Sequence, residues 1–98
     1  MDKHYRLYDK EVGKSIARFR KKMGLNQEQL AAQMQVAGCR KIDRSTLGKI
    51  EAGERHIYTL EMKRFQQVLG VSYDELFPPV TPEILAEEEK IEPGEDGD

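Results

Sequence analysis

Apolar residues recur along this chain at helical spacing, in short bursts separated by capping residues and glycines. Val12, Ile16, Phe19 and Met23 are separated by 4, 3 and 4 positions, which puts them on one helical face. They predict a first helix over about 10–23, with Asp9 as N-cap and Gly24 as C-cap. Asn26 then caps a second helix that opens at Gln27, carries Leu30, Ala31 and Met34 on its inner face and runs to Ala37, where Gly38 stops it. "CRKI" is a loop. Asp43 caps a third helix over 44–51, and Gly53 follows it. Thr59 precedes a fourth over about 60–69, with Phe65, Val68 and Leu69 inward together with Leu60 or Met62, and Gly70 closes it. Ser72 caps a short fifth helix over 73–77 with Leu76 and Phe77 inward, before Pro78 and Pro79 end the domain. Thr81 and Pro82 can open a sixth helix through about Ile91, since proline is well tolerated at a first helical position. The closing "EPGEDGD" reads as disordered. Period-two alternation is scarce, so the expected architecture is all-α. It divides into an N-terminal arm (1–9), a helical domain (10–79) and an acidic, partly disordered C-terminal segment (80–98).

The third helix is the odd one. "DRSTLGKIEAGER" keeps only Leu47 and Ile50 for a core, three positions apart. At about 100° per residue, Arg44, Ser45, Gly48 and Lys49 share the opposite arc, with Glu51 at the edge of the inward side. A capped helix start gathers unpaired N–H groups that favour anions. Arg, Ser and Lys side chains can donate to base edges in a major groove. Gly48 lets that face come close to a surface, at a cost of about 1 kcal/mol in helix propensity relative to alanine. A plain solvated face has the same residue types, so the helix by itself leaves both readings open.

Charge changes the picture. The formal net charge of −2 conceals a segregation of signs. Residues 83–98 hold eight acids against Lys90, a net of −7, and residues 1–82 hold 15 basic and 10 acidic groups, a net of +5. A basic body with an acidic tail suits a polyanion partner and a segment that modulates the encounter. No apolar run approaches a membrane span and no apolar signal segment opens the chain, so a cytoplasmic protein is expected. The single cysteine, Cys39, cannot close an internal disulfide, in keeping with a reducing compartment.

"GLNQEQLAAQM", "DRSTLGKIEAGER" and "LGVSYDELF" together resemble the Cro and phage-repressor type helix-turn-helix proteins, the XRE family, over about residues 11–77. That resemblance implies a lambda-repressor-like domain of five helices, whose third helix enters the major groove while the second crosses the backbone. By the same resemblance Arg44, Ser45 and Lys49 match base-reading positions, and Thr46, in the same "RSTL" stretch, counts among the expected DNA-binding residues. Gln27 matches a phosphate-holding residue, Arg55 and His56 fall in a phosphate-contacting turn, and Arg20 and Glu51 match a buried salt bridge. The chain departs from the family's tight turn in one respect: Gln27 to Asp43 is 16 residues, about six more than a link of 3–4 residues requires. Arg40 and Lys41 sit in that extra loop and suit either phosphate contact or plain solvation.

An enzyme is poorly supported. His4 and His56 are far apart, and no metal-spaced cluster, glycine phosphate loop or nucleophile motif is present. No cofactor or metal is expected. Cys39 beside Arg40 and Lys41 could have a lowered thiol pKa and sense redox change, though a loop cysteine with no role is the commoner case. The expected function is a sequence-specific regulator of transcription, whether repressor or activator, that binds double-stranded DNA as a homodimer on a pseudo-palindromic operator. The fifth helix and the residues after it are the expected dimer surface. Two alternatives stand beside it: a DNA-binding antitoxin whose acidic C-terminal segment grips a protein partner, and a protein-interaction module that has kept only the fold.

Overall fold

The computed structural model describes residues 6–89. They are all-helical, with no strand among them. Six helices follow in order: α1 (Arg6–Lys22), α2 (Gln27–Val36), α3 (Arg44–Glu51), α4 (Thr59–Leu69), α5 (Tyr73–Leu76) and α6 (Pro82–Glu89). Val12 and Ile16 of α1, Leu30 and Met34 of α2, Leu47 and Ile50 of α3, Phe65 of α4 and Leu76 of α5 bury their side chains in one core. The helical periodicity thus places the third helix where the sequence expects it and gives each longer helix its inner face.

Helix α1 is the spine, and it begins earlier than the sequence suggests. Asp9 lies within its first turn instead of capping it, and residues 6–9 are helical where an arm was expected. The anchor is Tyr8, whose hydroxyl donates to the Pro78 carbonyl at 2.7 Å, and Ser15 makes a second tie by donating to the Glu75 carbonyl at 3.3 Å. Residues 1–5 and 90–98, including Ile91 and the expected disorder of the tail, lie outside the described residues. Two glycines let α1 press against the end of α3. A methyl on Gly13 would collide with the Ile50 and Glu51 carbonyl oxygens, and one on Gly53, at φ 77°, would meet the Lys10 Cα at 2.7 Å.

Several inner-face assignments shift. Met23 is 45% exposed, because it follows the last α1 residue, where the chain turns away through Gly24. Leu60 is 59% exposed, and Met62 is the residue packed against the core. Val68 is only partly buried. Thr59 is the first residue of α4, and Tyr58 is its N-cap. The sixth helix exists, with Ile84 buried and Leu85 exposed.

The long link between α2 and α3 spans 37–43. It is a loop, as expected, but two of its side chains belong to the core: Ile42 is fully buried and Cys39 is 7% exposed. Those apolar pegs, together with backbone bonds from Cys39 to Met34 and from Ile42 to Cys39, hold the extension against the body. The extra residues therefore form part of the platform on which α3 rests.

Candidate nucleic-acid interface

Helix α3 is held at both ends. At its start, Asp43 accepts from the Thr46 N–H at 2.8 Å. That backbone hydrogen bond, assisted by the Thr46 hydroxyl, holds the Asp43 carboxyl below its usual pKa. The cap's negative charge also complements the positive end of the helix dipole. At its other end, Glu51 meets three elements. Arg20 of α1 donates through Nε at 2.7 Å and through a terminal nitrogen at 3.0 Å, its other terminal nitrogen bonds the Leu25 carbonyl at 2.9 Å, and Gln27 of α2 donates to Glu51 Oε1 at 2.9 Å. The Arg20 and Glu51 side chains are 10% and 7% exposed, so this is a buried bidentate pair with its polar valences filled. The end of α1, the start of α2 and the end of α3 are locked as one body.

Between these anchors, Leu47 and Ile50 are buried, and Arg44, Ser45 and Lys49 are exposed. Thr46 and Gly48 are half-buried. The arc seen in the sequence is therefore a physical surface carrying two long cations and a hydroxyl beside a helix start.

The remaining expected contacts fare differently. Gln27 is half-buried beside α3, and one of its amide hydrogens is engaged by Glu51. A phosphate role would have to use what is left of that amide. Arg55 makes a fork to Glu61, at 2.7 and 3.1 Å, and also donates to the His56 carbonyl at 2.9 Å. Its guanidinium also lies 5.0 Å over the Tyr58 ring. The hydrogen bonds it donates to Glu61 are the main reason its pKa is raised, against the effect of burial. Arg55 is thus a brace between the turn after α3 and the first turn of α4, where Glu61 also accepts from the Tyr58 N–H at 3.0 Å. Sequence reading missed this pair. The Glu three positions after the N-cap signals the bond to the Tyr58 N–H, but nothing local signals the fork to Arg55. His56 is tied back to α1 through Nδ1 and the Asp9 carboxylate. Arg40 and Lys41 are exposed.

Cys39 gives no support to a redox role. It is buried, and burial, with Glu61 nearby, pushes its thiol pKa up. Among the described residues, no group of three His, Cys, Asp or Glu side chains converges as a metal site, and no helix is long and apolar enough to cross a membrane.

Comparison with known proteins gives one family. A search of curated proteins and a search of solved structures gave no match. The helix-turn-helix family (HTH_3) matches residues 16–76, from the middle of α1 to the end of α5. This stretch contains the Arg20–Glu51 lock, both helices of the motif and the exposed arc. The chain belongs to the helix-turn-helix family and is a DNA-binding protein of the Cro and phage-repressor (XRE) type.

Proposed function

We propose that this protein is a sequence-specific transcriptional regulator that inserts α3 into the major groove of double-stranded DNA. The observation that carries the proposal is the exposed arc of Arg44, Ser45 and Lys49 on a helix anchored at both ends. A rigid helix holds its base contacts in a fixed register. Arg44 and Lys49 suit guanine O6 and N7, and Ser45 and Thr46 suit hydrogen bonds to a base edge or to phosphate. Gln27 beside α3, and His56 in the segment after it, are candidate backbone contacts. Arg55 acts behind them by shaping the turn. The protein works as a homodimer on a pseudo-palindrome, with recognition helices about 34 Å apart. Exposed Tyr73 and Val80, on and just after α5, are apolar surface suited to that pairing. On this reading the protein works in the cytoplasm. Selection of bound duplexes from a random pool tests the proposal. A single two-fold-symmetric consensus is expected. Recovery of unrelated sequences at equal affinity would leave a non-specific binder or an interaction module.

A further inference from the structure

Gly48 is the described glycine that the fold does not require. Gly24, Gly38, Gly53 and Gly70 all take positive φ, where other residues are strained. Gly13 faces backbone at collision distance. Gly48 has ordinary helical φ in mid-helix, and a methyl placed on it would meet only the Gln27 amide, at 3.8 Å from Oε1 and 3.9 Å from Nε2, an ordinary van der Waals contact. Alanine would fit and would favour the helix. Packing inside the fold thus leaves room for a methyl that the sequence does not use, and the Gln27 amide lies next to that vacant position.

The Gln27 amide beside it has a fixed orientation. Glu51 accepts from Arg20 through both of its oxygens, so the Gln27 nitrogen is the end of the amide that faces it, as the 2.9 Å contact records. An amide carries two N–H donors and one acceptor oxygen. One N–H is used on Glu51. The second N–H and Oε1 are the donor and the acceptor left on an amide that lies beside Gly48, the residue that shares its arc with Arg44, Ser45 and Lys49. That donor and acceptor are the complement of adenine N7 and N6.

We propose that Gly48 and Gln27 form one composite base-reading subsite: the helix backbone approaches the groove most closely at Gly48, and the pre-oriented Gln27 amide reads an adenine there. This rests on α3 being the recognition helix. It differs from a phosphate role for Gln27, which would carry no sequence information.

The test uses the full chain, a selected operator and its single-base variants, with melts run in parallel. Gly48→Ala should melt higher than wild type yet bind the operator at least tenfold more weakly. Gln27→Met, which keeps the length and removes the amide, should lose its preference for A·T at one position by about tenfold, the low end of a bidentate base contact, and keep the others. Gln27→Ala should repeat that pattern if the methionine variant melts abnormally. Operator affinity of Gly48→Ala within twofold of wild type overturns the close approach. Uniform weakening by both Gln27 variants across all sequences assigns Gln27 to phosphate and overturns the subsite. Failure of the wild type to prefer any duplex sinks the recognition-helix reading itself, and the subsite with it.

Discussion

Glu51 is the residue on which the interface depends. It receives Arg20 through two bonds and Gln27 through a third, and it sits on the last turn of α3. Removing Arg20 would leave a carboxylate that is 7% exposed without its counter-charge. Arg20→Ala is therefore expected to destabilise the fold by about 3–5 kcal/mol. Pairing it with Glu51→Gln should recover part of the loss, because the stranded charge is gone. Denaturant melts of the wild type, the two single variants and the double variant measure both effects. A loss for Arg20→Ala below about 0.5 kcal/mol, the scale of a surface change, would contradict the buried-lock account. The Arg20–Glu51 pair was legible in the sequence only through family resemblance, since nothing local says that residues 31 positions apart meet. Arg55 shows the converse. A cation in a polar turn suggests solvent or phosphate, and its carboxylate partner becomes visible only once the turn brings Glu61 beside it.

At the level of elements, α2, α3 and α5 were legible because their capping residues are strong local signals. Asn26, Asp43 and Ser72, each expected as a cap, accept the N–H three residues on, from Gln29, Thr46 and Glu75. The start of α1 was obscured because Tyr8 is held by a carbonyl 70 residues away, a tertiary contact with no local signature. The role of the 37–43 link was hidden for a similar reason: single apolar residues in a polar loop show no periodicity. Ile42→Ala is expected to cost about 2–5 kcal/mol, as for a core residue, and the Cys39 thiol should resist alkylation in the native protein and react quickly in denaturant. Rapid native labelling would show that the loop does not bury it. The Asp43 cap also gives a pH dependence. Its folded pKa lies below the ordinary value, mainly because of the Thr46 N–H. Its stabilisation is therefore present above the unfolded pKa of aspartate and disappears as pH falls through the lower folded value. The stability gap between wild type and Asp43→Asn should be open at neutral pH and close in acid, as followed by thermal melts. A gap that persists unchanged in strong acid would contradict the charged cap.

The whole molecule is electrically divided, with a net of +5 over residues 1–82 and −7 over 83–98. Helix α6, which begins the acidic part, packs with Ile84 buried, so cutting before it would remove folded structure. The cleaner cut is after Glu89, which removes four acids and Lys90, a net of −3. An acidic chain end competes with phosphate for the same cations, so this truncation should tighten binding to random duplex. The gain should be largest at low salt and fade as the screening length falls to about 8 Å near physiological ionic strength. Equal or weaker non-specific binding at low salt would rule out that competition. Loss of a protein partner with DNA affinity unchanged would instead favour the antitoxin reading. Charge segregation was fully legible in the sequence. The surface it acts on was not, because which cations are exposed and which are engaged in forks is decided by packing.

The central claim is that α3 reads bases, and Arg44 and Lys49 are the side chains that test it most directly. Operator affinities of wild type, Arg44→Ala and Lys49→Ala should be measured by gel shift against a set of single-base operator variants. Each substitution is expected to remove about 1–3 kcal/mol of discrimination at one base pair, a different one for each variant, while preferences elsewhere persist. Wild-type base preferences in both variants would show that α3 is not the recognition element.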